Sequence, residues 1–261
     1  MPVKAIFFDI DGTLLSFQTH RISPGTIHAF KLLHGKGIST FIASGRPKVL
    51  IPSLPVRFDG YITVNGGYCF LGDGSDEGAV VINEPLDNGD QQRWLDYVEE
   101  RNIVTMLFSR HEMFVNRISE QANRLRNQLE FKMPPMISIR EMREEQAYQF
   151  IAMIPAQQDA EVLNLLPHCR LPRWHPFFSD LIPSCSSKAR GIEAVAKHLG
   201  LQCSELMAFG DGGNDVDMLE YVGMGVAMGN AAAAVKEHAD YVTTSVDDEG
   251  ILYALQELKV I

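Results

Sequence analysis

The sequence predicts an α/β protein: a doubly wound parallel sheet interrupted by an inserted α+β domain. Three observations carry this expectation. Short apolar runs at 3–8, 38–43 and 61–64 alternate with helix and turn signals, as a parallel sheet with crossover helices requires. The same alternation resumes at residue 186 and continues to the C-terminus. Between them the texture changes to amphipathic helices mixed with short strands. Residues 1–80 and 185–261 are therefore expected to form one discontinuous core and residues 81–184 the insert; a chain of 261 residues is long enough for both.

Each element has local support. VKAIFF at 3–8 is a short apolar run suited to a strand covered on both faces. Ser23-Pro24 reads as an N-cap and first-turn proline, Ile27, Phe30, Leu32 and Leu33 follow, and Gly35 and Gly37 end the helix. ISTFIA at 38–43 is the second strand; it runs into Ser44-Gly45-Arg46-Pro47, after which a helix is expected. YITV at 61–64 is the third and leads into Asn65-Gly66-Gly67. In the insert a helix at 90–101 carries Trp94, Leu95 and Val98, strands follow at 103–108 and 112–116, a polar helix at 119–129, a Pro134-Pro135 break and a strand at 148–153. The last third reads as helix 187–199, strand 206–210, helix 214–222, strand 225–228, helix 231–237, strand 240–243 and helix 249–258.

Composition narrows the function. Hydrophobic residues at 46% and charged residues at 21% fit a folded globular chain and exclude wholesale disorder. A formal net charge of −10 argues against nucleic-acid or anionic-membrane partners, which are bound through clustered Lys and Arg. Any phosphorylated ligand then has to be met by local cations. Cys69, Cys169, Cys185 and Cys203 form no CxxC pair and no ligand rhythm with His, so idle thiols are expected. With no leader-like N-terminus and no run of about 18 apolar residues, a cytoplasmic location is expected.

Ligands of open α/β sheets bind beyond the carboxyl ends of the strands, so the residues there belong together. Asp9, Asp11 and Thr13 follow the first strand, Ser44 and Arg46 the second, Asn65 the third, and Asp211, Asn214 and Asp215 the strand at 206–210; Lys188 starts the helix that resumes the alternation. Singly, Ser44, Asn65 and Asn214 could serve only as caps of tight turns, and Lys188 as a solvated charge. Two carboxylates directly after a doubly buried strand are different, because their desolvation has to be offset by a cation or by donors. Carboxylates without His or Cys favour a hard ion, Mg²⁺ first and Ca²⁺ second. An EF-hand loop starting at Asp211 fails, because Val216 and Val222 stand where Gly and Glu are needed. Gly223-Met224-Gly225 with Gly229 fails as a dinucleotide fingerprint, since it precedes and contains a strand.

DIDGT at 9–13, Ser44-Gly45-Arg46, Lys188 and GDGGND at 210–215, in this order, resemble the four motifs of the haloacid dehalogenase superfamily of phosphohydrolases. NGG at 65–67, the position of the insert and GVAMGNA at 225–231 are similar to its Cof-type sugar-phosphatase branch. The resemblance implies a Rossmann-like core with a cap domain, and a Mg²⁺-dependent phosphatase of small phosphorylated metabolites, sugar phosphates first, with nucleotide or cofactor phosphates such as FMN or pyridoxal phosphate as the alternative. It implies that Asp9 attacks phosphorus and becomes an aspartyl phosphate, that Asp11 protonates the leaving oxygen and then activates water, and that Thr13 positions that acid. Mg²⁺ would be held by Asp9, the Asp11 carbonyl and Asp211, with Asp215 and Asn214 acting directly or through water. Lys188 and Ser44 would bind the phosphoryl oxygens, with Gly45, Arg46, Asn65 and Asn214 as further contacts; loop support is the competing reading for Arg46 and Asn65. The insert would be a lid that selects the leaving group. In it RWHPFFSDLIP at 173–183, with Arg173, Trp174, His175 and Asp180, reads either as hinge packing or as a surface for sugar hydroxyls. PSCSSKARG departs from the branch pattern, with Ser186-Ser187 before the lysine. A monomer is expected.

Two other classes compete. A receiver-type signalling domain uses similar residue types, but needs only about 120 residues and places its phosphoacceptor after a later strand. A non-catalytic binding protein on the same fold is expected to lack one of Asp9, Asp11, Lys188 or Asp211, and all four are present.

Overall fold

β1 (Ala5–Phe8) is buried at every residue because it is a central strand, which is why its sequence shows no polar alternation. The computed structural model describes residues 2–74, 78–129, 132–173 and 175–261. After β1 come α1 (Pro24–Gly35), β2 (Ser39–Ala43), β3 (Gly60–Thr63), β4 (Tyr68–Leu71) and β5 (Val80–Asn83). Then follow α2 (Asn88–Arg101), β6 (Thr105–Phe108), β7 (Met113–Val115), α3 (Glu120–Leu129), α4 (Ile139–Glu144), β8 (Gln149–Ala152), α5 (Asp159–Leu165), β9 (Cys169–Arg170) and β10 (Ser179–Pro183). The chain ends with α6 (Lys188–Leu199), β11 (Leu206–Gly210), α7 (Val216–Tyr221), β12 (Met224–Ala227), α8 (Ala233–Lys236), β13 (Tyr241–Val242) and α9 (Gly250–Glu257).

The chain divides into two compact units. One holds the residues up to Gly45, Pro52–Asn83 and Ser187–Ile261; the other holds Arg46–Ile51 and Glu84–Ser186. In the first, eight strands form one sheet in the order β13-β12-β11-β1-β2-β3-β4-β5. Neighbours from β13 to β3 are parallel, while β4 and β5 are antiparallel additions at one edge. That edge hairpin was not expected from the sequence, although Asn65-Gly66 between two apolar runs is a hairpin signal. Strand order reverses direction at β1 and β11, so the crevice of the sheet opens at their carboxyl ends. Stacked rings lock this centre: Phe7 on Phe41 at 4.9 Å and Phe8 on Phe209 at 5.3 Å.

The helix expected after Pro47 is only a 3₁₀ turn, Lys48–Leu50, because Pro52 and Pro55 follow too closely for a helix to propagate. α8 is likewise shorter than the expected 231–237.

The second unit is a five-stranded antiparallel sheet, β7-β6-β8-β10-β9. Trp94, Leu95 and Val98 of α2, Met142 of α4 and Val162 of α5 pack on one face with Leu107, Phe150 and Leu181. Met106, Phe108 and Ile151 point the other way and meet Ala122 of α3. Within 173–183, Arg173 forms a bidentate pair with Asp159 and donates to the carbonyls of Ile154, His175 and Phe178, and His175 stacks on Phe178 at 4.1 Å. Those contacts match the packing reading of the segment; Trp174 lies outside the described residues.

Candidate active site

Asp9 and Asp211 each stand one residue beyond the central parallel strands β1 and β11, and the register Phe8 to Phe209 brings the two chain segments side by side. Asp9 N–H continues the ladder by donating to Phe209 O at 3.0 Å.

Lys188 reaches this place from the first turn of α6, whose N-cap Ser187 accepts from Arg190 N at 3.1 Å. A cation at a helix N-terminus works against the helix dipole, and this lysine is fully buried. Two carboxylates hold it: Nζ lies 2.6 Å from Asp9 Oδ1 and 2.5 Å from Asp215 Oδ1. Burial alone would lower the lysine pKa; the charges of Asp215 and Asp9 outweigh it and raise it, so the ammonium stays charged.

Asp215, also fully buried, turns its Oδ2 back on its own loop and accepts from Asp211 N at 2.9 Å and Gly212 N at 2.8 Å. Thr13 donates to Asp211 Oδ1 at 3.2 Å. Asp11 is half-buried. Gly12 allows the close approach: its φ is +82°, and a Cβ there would lie 2.2 Å from Asp211 Oδ2.

Ser44 is buried; its N–H donates to Ile62 O at 2.9 Å and its carbonyl accepts from Asn65 N at 3.1 Å, so the ends of β2 and β3 are tied together. Val64 and Asn65 both have φ near +50°, at 52° and 51°, an uncommon conformation for a β-branched residue. This kink lets the Asn65 carboxamide accept from Asn214 Nδ2 at 3.1 Å, and a Cβ on Gly45 would stand 3.2 Å from Asn65. Gly66 follows with φ +89°, where a Cβ would sit 2.0 Å from the Ser187 carbonyl. The Asn65-Gly66 loop is thereby pressed against the residue preceding Lys188.

Arg46 donates to Leu50 O at 2.8 Å, across its own 3₁₀ turn, a contact of the loop-support kind. Asp217 accepts from Ala189 N at 3.3 Å in the first turn of α6 and so supports the helix that carries Lys188. Asn230 was missed among the strand-end residues; it donates to Gly12 O at 2.8 Å and to Asp211 Oδ2 at 3.1 Å. Its signal was its place just after β12, the same strand-end rule that selected the others.

The cluster carries more negative than positive charge. Burial, together with the charge of Asp215, pushes the Asp9 carboxyl well above the usual range against the pull of Lys188. Burial and then Asp215 push the Asp211 carboxyl up to about 7. Carboxylate oxygens of Asp9, Asp211 and Asp215 lie within 4.8 Å of one another. An all-oxygen donor set with excess negative charge fits a hard divalent cation. Asp87, Asp90 and His168 form a similar cluster in the second unit, but buried Asp90 is already engaged by the Arg93 guanidinium and by His168 N at 2.8 Å, as a structural ion pair would be.

The buried Asp-Lys-Asp chain and the carboxylate cluster stand at the reversal of strand order, where open α/β sheets bind their ligands. The chain belongs to the haloacid dehalogenase-like hydrolases, whose family model matches residues 6–255. It is 32% identical over 261 residues to the Bacillus subtilis protein named "Putative phosphatase YkrA", covering 99% of this chain and 98% of that one. It is 29% identical to a Streptococcus pyogenes protein named "Putative bifunctional phosphatase/peptidyl-prolyl cis-trans isomerase", spanning only 54% of that protein's length. Among solved structures, the HAD subclass IIB sugar phosphatase BT4131 superposes with a TM-score of 0.88 and 36% identity, over 99% of this chain and 100% of that one. Family, fold and relatives make this chain a phosphatase.

Proposed function

We propose that the chain is a Mg²⁺-dependent phosphatase of small phosphate monoesters, sugar phosphates in particular, that works through an aspartyl phosphate on Asp9. The observation that carries this reading is the buried Lys188 between Asp9 and Asp215, since a lysine held there meets both a nucleophilic carboxylate and an incoming phosphoryl group. The sugar-phosphatase neighbour at 36% identity supports the substrate class.

In this mechanism an Asp9 oxygen attacks phosphorus as the bond to the leaving oxygen breaks, and protonated Asp11 gives its proton to that oxygen. Asp11, now a carboxylate, takes a proton from water as the water oxygen attacks the acyl phosphate, returning Asp9 and releasing phosphate. Lys188 offsets the repulsion between the Asp9 carboxylate and the phosphoryl dianion. Ser44, with Gly45, Asn65 and Asn214, lines the phosphate side, and the second unit selects the leaving group. Asp9, Asp211 and the Asp11 carbonyl would hold Mg²⁺, with Asp215 adding charge and one remaining lone pair on Oδ1. The bound ion would neutralise phosphoryl oxygens.

The test is phosphate release from a panel of sugar, nucleotide and cofactor phosphates, with and without Mg²⁺, beside Asp9→Asn. The reading expects turnover of sugar phosphates that needs both Mg²⁺ and Asp9. Turnover confined to nucleotide or cofactor phosphates would overturn the substrate class, and full activity of Asp9→Asn would overturn the mechanism.

A further inference from the structure

We propose that Asn230 is a positioning residue of the phosphatase site: its carboxamide orients the Asp211 carboxylate and the Gly12 loop so that the acidic cluster takes its divalent cation. The inference rests on the Mg²⁺ reading above.

Three segments distant in sequence meet on this one planar group. Asn230 Nδ2 donates to Gly12 O at 2.8 Å and to Asp211 Oδ2 at 3.1 Å, and Asn230 Oδ1 accepts from Val246 N at 2.9 Å. Two acceptors on one side and an N–H on the other fix which end of the amide is nitrogen. Both N–H groups are thus spent on the loops that follow β1 and β11, those of Asp9 and Asp211, while the oxygen anchors the side chain to the turn at Val246.

Asp211 is then held at both ends, by Thr13 on Oδ1 at 3.2 Å and by Asn230 on Oδ2. Each oxygen keeps a lone pair for a cation, and the carboxylate cannot rotate without losing a donor. A neutral amide suits this task. Lys or Arg would orient the carboxylate but cancel the charge the cation needs, Asp could accept from Val246 N but donate to neither partner, and a hydroxyl cannot supply two donors. A residue needed only to close the turn after β12 would have no use for bonds to two catalytic loops.

Partners that orient a metal ligand typically change metal affinity by about 10–100-fold when removed. The test is calorimetric titration with MgCl₂ alone on the wild type, Asn230→Ala, Asn230→Ser and Asp211→Asn, with circular dichroism confirming native structure. If Asn230→Ala does not fold, the small polar Asn230→Ser carries the measurement. The inference expects about 10–100-fold weaker Mg²⁺ binding in the Asn230 variants, and kcat recovering toward wild type at saturating Mg²⁺. It expects Asn230→Ala to have a smaller further effect on kcat in an Asp211→Asn background than in the wild type, the remainder being the Gly12 contact. Mg²⁺ affinity within twofold of wild type in folded Asn230 variants overturns the inference alone. A wild type that binds no Mg²⁺, or an Asp211→Asn that binds it as the wild type does, removes the underlying reading and the inference with it.

Discussion

Lys188 Nζ lies 2.6 Å from Asp9 Oδ1, with no part of the lysine exposed. The pair joins the end of the central strand to the start of α6, and Asp215 completes it from the other side. Lys188→Met would leave two buried carboxylates facing each other without a cation. Removing one partner of such a pair costs roughly 3–5 kcal/mol of stability. If the proposed role of Lys188 toward the phosphoryl group holds, losing its charge is expected to cost about 10²–10³ in kcat. Urea unfolding and phosphate-release assays of Lys188→Met check both, and wild-type values in either would break the assignment.

Gly66 is where backbone and site depend on each other most directly. Its φ of +89° and the 2.0 Å that a Cβ would leave to Ser187 O mean that Gly66→Ala must shift the residue before Lys188. A destabilisation of roughly 1–3 kcal/mol is expected, with a fall in kcat. Gly35→Ala, where a Cβ meets nothing within 4 Å, is the control and is expected to be neutral or stabilising. Thermal melts separate the two variants.

Asp211 links stability to pH and to metal. Burial first, then the charge of Asp215, raises its carboxyl to about 7, against the Thr13 hydrogen bond and Lys188. An unfolded aspartate titrates at about 3.9. Between these values the folded, metal-free protein binds more protons than the unfolded chain, so this group makes stability fall as pH rises from about 4 to about 7. Melting temperatures across that window in EDTA should show the fall, Asp211→Asn should flatten it, and Mg²⁺ should restore stability most at the upper end. An identical slope in Asp211→Asn would assign the effect elsewhere.

Much of the site was legible because strand ends carry it. Asp9, Asp211 and Asp215 each follow a run apolar enough to place, and carboxylates beside a doubly buried strand imply a charge partner wherever the chain goes. Lys188 was legible only through its spacing in the motif set; nothing local says that a lysine on a helix is buried. Arg46 followed the same strand-end rule, yet its guanidinium closes a turn made by Pro47 and the prolines after it. Asn230 was passed over because the strand before it is short and the Gly229-Asn230 turn looks like ordinary punctuation. The β3–β4 hairpin was hidden by its own turn, whose Asn65-Gly66 serves both as a hairpin signal and as part of the site.

The most direct test of the central claim is peptide mass spectrometry of Asp11→Asn mixed with Mg²⁺ and an aryl phosphate whose leaving group departs without needing a proton. The account predicts that the peptide containing Asp9 gains one phosphoryl group and loses it slowly, because no carboxylate remains at position 11 to activate water. An unmodified Asp9 at every time point, under conditions where the wild type releases phosphate, would contradict it.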